Sequence, residues 1–518
     1  MSDQARIRHI LLAPVAAYGH VRPMCALAGR LAAQTSTVIT LLMAPNYLQS
    51  AKSDIMAHFP AGHEALERIR IVSLFDSTET DMFVFMRKAI EHYPAAYETL
   101  HRGSAIKCAT TGTEYAAVPP PAAIILDAFA IQQLHATRAV SGTKIPIFTY
   151  MGANAGTIIR LFCPESMGGR GDFGARIDAE ALRVGKPADE IADEIFNRTT
   201  GAVIKVPGIP TMYDYEAFPQ ISADIPLTAL HRSAYDMIRA CDGIFLNTLP
   251  VYDGESLVAF EDWMKKSLNK SVYPVGPLLP PGYGGEQVDI RPTSNGPRDL
   301  EVKSFLDSME SKYGNKSVLF ISFGTVFWPK REDQVEVLVD TLIEKQFPFI
   351  LCHPSPFATV SDALSQKIKA SGIAMAAAWA PQQYILTHPA TGWFLTHCGH
   401  GGVFEALARG VPMICWPIEG DQPIGAVILS ESLNVAFHLM EVRTGKGLQR
   451  LHSGKTPQGT SASMRAEFEE VIDQCRDTVG DEKRENVRRV QAEFAKAWAS
   501  GGSSLLTLNE FFVRYLPA

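Results

Sequence analysis

Two residues in this chain are placed to move a proton. His20 lies in Gly19-His20-Val21-Arg22-Pro23, directly after a short apolar run and ahead of a helical pattern. Asp127 closes another apolar run, 122–126. An imidazole with an unperturbed pKa of about 6.5 suits general-base work near neutral pH. It is better matched to a phenol, near ~10, than to an ordinary alcohol. A carboxylate on the far ring nitrogen would fix the tautomer and stabilise the imidazolium. If both runs are parallel strands, they can deliver both residues to one sheet edge. The plainer alternatives are a capping or packing role for His20 and a helix N-cap for Asp127.

A second constellation, at 379–422, is suited to a nucleoside diphosphate. An apolar strand (392–395) runs into a glycine-rich turn (398–402) and then a helix (403–409). Gly410 ends that helix where a positive φ is wanted, and Pro412 follows. A second strand (413–416) then delivers Glu419, Asp421 and Gln422 to its carboxyl end. Unpaired N–H groups and the positive dipole end at the helix start favour phosphate. Gly399, Gly401 and Gly402 let phosphates approach the backbone closely. His397 is expected to add a charge-assisted donor, Glu405 to accept from a ribose diol, and Trp379 to stack on a flat base.

Strand–helix alternation must position these groups. Apolar runs at 9–14, 38–43, 122–126, 145–150 and 243–246 alternate with helical patterns, which indicates parallel α/β architecture. Such sheets bind ligands at strand carboxyl ends. The richest Pro/Gly segment, 278–300, reads as a linker. The rhythm restarts after it, at 318–323, 349–351, 392–395 and 411–416. The expected division is an acceptor-binding domain over 1–278, a linker over 279–297 and a donor-binding domain over 298–493. The last stretch, about 483–518, reads as helical, with 494–518 expected to pack back on the first domain.

Residues 379–422 closely resemble the 44-residue signature of the UDP-glycosyltransferases of small-molecule metabolism, best known from plants. The agreement covers length, W-A-P-Q, T-H-C-G, the Glu, G-V-P and the closing D-Q. Further similarity lies in Gly-His-x-x-Pro, Ser322-Phe323-Gly324-Thr325, Asp242–Thr248, Tyr273–Pro277 and Gly501–Ser504. The resemblance implies a GT-B-like α/β fold of two Rossmann-type domains facing across a cleft. It implies that Trp379 and Gln382 hold uracil, Glu405 ribose and His397 the diphosphate. Thr325 would meet phosphate, Gly19 would border the donor, and Asp421 with Gln422 would bind sugar hydroxyls. Plant members usually carry Trp-Asn-Ser where this chain has His400-Gly401-Gly402, so backbone amides must replace two polar side chains. His400 then replaces a bulky aromatic beside the sugar.

The expected activity is metal-independent, inverting transfer of a hexose, glucose first, from a UDP-sugar to a hydroxyl of a small apolar acceptor. A phenol, flavonoid or other secondary metabolite fits. The UDP-sugar is a substrate, and no cofactor is expected. A sterol or lipid glycosyltransferase, a catalytically silent nucleotide-sugar-binding partner, and an epimerase or phosphorylase are the competing readings. For the acceptor pocket, Phe83, Met86 and Phe162 are the candidates, with core packing as the alternative for the 82–93 stripe.

Composition narrows the classes further. The chain has 518 residues with 46% hydrophobic and 20% charged residues, a soluble globular balance suited to two domains. A net charge of −7 argues against nucleic acid and anionic membranes as partners. Eight cysteines without a CxxC pair suggest reduced thiols. With no signal peptide and no long apolar stretch, a cytoplasmic monomer is expected. Residues 169–174 match GxGxxG but follow no strand, and so read as a loop. His397, Cys398 and His400 lack a second ligand pair, so no metal is assigned to them.

Overall fold

Apolar runs that showed no alternation become strands buried on both faces, because helices cover each side of the sheet. The computed structural model describes residues 7–34, 36–221, 227–283 and 297–516. Its first parallel sheet contains β1 (His9–Ala13), β2 (Val38–Met43), β3 (Ile69–Ser73), β4 (Ala123–Asp127), β5 (Ile147–Met151), β6 (Gly243–Leu246) and β7 (Ser271–Pro274). Their spatial order is β7-β6-β5-β4-β1-β2-β3. The second sheet contains β8 (Val318–Ser322), β9 (Phe349–Cys352), β10 (Ala374–Ala377), β11 (Thr391–Thr396), β12 (Met413–Cys415) and β13 (Ala436–His438). It runs β10-β9-β8-β11-β12-β13.

Both orders reverse at an internal pair, β1 beside β4 and β8 beside β11. Connections leave such a pair in opposite directions, which opens a crevice at the strand carboxyl ends. Each sheet therefore has one ready ligand site. This is the GT-B arrangement, two Rossmann-type sheets sharing a cleft. One hydrophobic cluster extends from the first sheet to the second, so the two halves are packed together as well as facing each other.

The C-terminal stretch, expected to be helical, forms two helices, the last starting at Ser503. Helices Thr478–Lys496 and Ser503–Tyr515 are separated by a turn in which Gly501 takes φ +78°. A Cβ on Gly502 would lie 2.2 Å from the Lys496 carbonyl oxygen, so only glycine permits the bend. The final helix lies against β7, with Phe511 4.9 Å from Phe245 and Tyr515 4.7 Å from Phe148. Within the expected linker, Leu279 and Tyr283 are buried, and Arg409 donates to the Tyr283 carbonyl at 2.7 Å. Residues 284–296 of that linker lie outside the described residues.

Candidate active site

The first sheet brings His20 and Asp127 together. His20 sits in the first turn of helix Tyr18–Gln34, just past β1, and Asp127 ends the adjacent β4. His20 Nδ1 and Asp127 Oδ2 are 2.8 Å apart. Asp127 is fully buried, and its other oxygen accepts from the Phe129 amide at 3.1 Å. The carboxylate is thus held from two sides and cannot swing away. His20 remains 28% exposed and lines the cleft, so Nε2 is the nitrogen left for a reacting group. Burial presses the His20 pKa down. The charge and hydrogen bond of Asp127, helped by Asp421, outweigh that and raise it.

The second sheet supplies the facing wall. Helix His400–Arg409 begins three residues earlier than the sequence pattern indicates, with Gly399 as its N-cap. Gly410 takes φ +65° at its end. Two glycines cradle the His397 ring. A Cβ on Gly399 would lie 2.4 Å from Nε2, and one on Gly324, at φ +74°, would lie 2.7 Å from Cε1. Burial holds the His397 pKa near 4 despite a compensating bond with the Ser322 backbone. Burial thus disfavours the charged form of His397, the form that a charge-assisted donor would need.

Other donor-site residues are already committed to protein partners. Glu405 accepts from Gln382 at 2.7 Å, from Gln383 at 3.0 Å and from Arg22 at 2.5 Å. Arg22 reaches it from the helix that carries His20, crossing the cleft, and also lies 3.7 Å from Asp54. Gln382 thus turns its amide to the expected ribose ligand. The Gln422 carbonyl accepts from the amides of Ile418 and Glu419 at 2.8 and 3.0 Å, which leaves only its NH2 group for a ligand. Asp421 is held by its own amide and that of His400, and burial lifts its pKa to about 6. One of the amides expected to carry phosphate is therefore spent on a carboxylate.

His400, expected beside the sugar, lines the cavity and is also held by the protein. Its Nε2 lies 2.6 Å from the Asn247 carbonyl oxygen at the end of β6, and its ring packs 4.2 Å from Phe404. The ring still borders the cleft, but its buried Nε2 edge ties the start of helix His400–Arg409 to the end of β6.

His20, His397, Glu405, Asp421 and Gln422, with Gly19, Thr325, Gly401 and Gly402, line one cavity of about 600 Å³, a usual size for a small-molecule site, while Asp127 lies behind His20 and outside the lining. Trp379 is 49% exposed on its wall, with a face open for stacking. The other arm is lined by Met82, Met86, Phe129, Met151 and Phe162. Phe83 is not among its lining residues. The helix Met82–His101 starts at Met82, so positions 82 and 86, four apart, share the cavity face while 83 points elsewhere. Tyr93 is in the core and Ile90 is exposed. Arg22, Gln383 and Phe129 were missed as site residues. Arg22 stood inside the Gly-His-x-x-Pro motif, but its partner is 383 positions away in sequence.

The pair on one sheet and the glycine-rich loop on the other face one cleft of a GT-B fold. The family model for UDP-glucoronosyl and UDP-glucosyl transferase matches residues 243–444. UDP-glycosyltransferase eriJ of Hericium erinaceus is 28% identical over 521 residues, covering 97% of this chain and 98% of that one. Anthocyanidin 3-O-glucosyltransferase 5 of Manihot esculenta is 25% identical over 96% of this chain and 93% of its own. Among solved structures, a UGT transferase from Siraitia grosvenorii in complex with UDP aligns with TM-score 0.70 and 21% identity, covering 98% and 99% of the two chains. Medicago truncatula UGT71G1 complexed with UDP-glucose aligns with TM-score 0.68 and 19% identity, over 99% and 100%. By these matches the chain is similar to the UDP-glycosyltransferase family. Among the described residues, no helix is long and apolar enough to cross a membrane.

Proposed function

We propose that this enzyme transfers a hexose, glucose in the first reading, from UDP-hexose to a hydroxyl of a small, largely apolar acceptor such as a phenol. The observation that carries this is the 2.8 Å His20–Asp127 contact at the cleft, opposite the His397 loop. The acceptor hydroxyl loses its proton to His20 Nε2 as its oxygen attacks the anomeric carbon. The bond from that carbon to the diphosphate oxygen breaks, and UDP leaves with the electron pair. Attack opposite the leaving group inverts the sugar carbon. Asp127 stabilises the imidazolium that forms. The His397 N–H and the start of helix His400–Arg409 meet the departing charge. Residues 1–278 are read as the acceptor side and 298–493 as the donor side.

The intact pair speaks against a silent binding partner, and the apolar arm favours a flat ring acceptor. Matched reactions of UDP-glucose, UDP-galactose and UDP-glucuronate with a panel of phenols, followed by mass spectrometry and anomeric NMR, test the reading. A β-glucoside from UDP-glucose is expected. Turnover of the donor without any adduct, or a product with retained configuration, would sink it.

A further inference from the structure

The acceptor arm of the cleft is apolar along most of its wall, with one ring of another kind. His231, on helix Leu227–Ala240, lines the cavity and is 6% exposed. Its ring stands edge-on to Phe162 at 6.2 Å and tilted to Phe196 at 5.0 Å. Nδ1 is buried without a hydrogen-bond partner, and among the described residues no protein group bonds to either ring nitrogen. Phenylalanine would fill the same aromatic niche without stranding a polar atom. A buried polar group with no partner is uncommon enough to need a reason.

Charge is not that reason. Burial, and then the neighbouring Arg170 guanidinium, hold the His231 pKa down to about 3. Arg170 itself is occupied, lying 4.4 Å over the Phe196 ring and donating to the Phe196 carbonyl. The imidazole is thus neutral, with one donor and one acceptor nitrogen. Its place in the chamber follows from two contacts. Two residues further along the helix, Ser233 donates to the Phe129 carbonyl at 3.0 Å, and the Phe129 ring lies 5.3 Å from His20. The helix of His231 therefore borders the chamber that His20 serves.

We propose that His231 is a polar subsite of the acceptor chamber, holding an acceptor oxygen remote from the hydroxyl that is glycosylated. With Nδ1 sealed, Nε2 is the nitrogen available. A proton on Nε2 leaves only a lone pair unmet inside and offers an N–H to a carbonyl, ether or second hydroxyl oxygen. The acceptor class narrows accordingly to flat, largely apolar molecules with two oxygens at separate ends of a ring system. The inference rests on reading the cleft as the acceptor site of a phenol-glycosylating enzyme.

Matched phenols of one, two and three rings, each with and without a remote methoxy or acetyl oxygen, test it with the full chain and UDP-glucose. In at least one pair, wild-type kcat/KM should favour the oxygenated member by about tenfold or more, mostly through KM. His231→Phe keeps the ring stack and should erase that preference, leaving kcat/KM for the apolar member within about threefold. His231→Gln, which restores an N–H, should recover part of the preference and covers the case where the Phe variant does not fold. Turnover without preference in any wild-type pair, or a preference that survives in His231→Phe, overturns this inference alone. No turnover with any phenol overturns it together with the proposed function.

Discussion

Asp127→Asn removes one charge from a pair that the fold holds rigid. Asp127 is fully buried, receives the Phe129 amide on one oxygen and meets His20 Nδ1 at 2.8 Å with the other. The amide has the same shape, so geometry survives while the charge is lost. With charge centres about 4 Å apart and an effective dielectric of about 20, the imidazolium loses roughly 4 kcal/mol of stabilisation. Water entering the 28% exposed His20 side reduces that figure, so a fall of about a hundredfold to a thousandfold in kcat is expected. The pH profile supplies the sign. His20 acts as a base only when deprotonated, so activity rises with pH through its pKa. Burial lowers that pKa, whereas Asp127 and, more weakly, Asp421 raise it, for a net rise. Removing the Asp127 charge leaves burial dominant, and the acid limb of kcat should move to lower pH. Steady-state kinetics with a phenol across pH 5–9, alongside UDP titration, would check this. A loss under tenfold, or an acid limb that stays in place, would refute the assignment of the pair.

Four further outcomes follow from the geometry. His20→Ala should cost on the order of a hundredfold in turnover with UDP affinity nearly unchanged, measured by calorimetry and kinetics. Trp379→Ala should weaken UDP by about 1–3 kcal/mol if the 49% exposed indole carries the base, and unchanged affinity would remove it from the site. Arg22→Met leaves the buried Glu405 carboxylate with only the Gln382 and Gln383 amides, so the donor KM should rise on the order of tenfold. An unaltered donor KM would reduce Arg22 to a surface-like pair. Gly399→Ala would set a Cβ 2.4 Å from His397 Nε2, so UDP binding should fall well before the melting temperature does.

Much of this protein is legible from composition and spacing because its central strands are covered on both faces. Such strands must be continuous apolar runs, and β1, β2, β4, β5, β6, β8, β9, β11 and β12 were all anticipated from theirs. Within the two large sheets, the strands without such a run, β3, β7, β10 and β13, are the four edges. Edge strands have one neighbour and weaker apolar demands: β3 carries Arg70, and β10 is Ala-Met-Ala-Ala. The signature at 379–422 was equally visible, because backbone geometry around a diphosphate needs glycines, caps and donors at set local spacings.

What the chain does with those groups was decided in three dimensions. His20 and Asp127 are 107 positions apart, Arg22 and Glu405 383, and His400 and Asn247 153. A one-dimensional pattern carries no signal for such pairs, since only sheet order and domain contact determine which side chains meet. The protonation states are tertiary for the same reason. The charged form of His397 is disfavoured and Asp421 has its pKa lifted to about 6 because each is enclosed, and the dielectric around a group depends on everything packed against it.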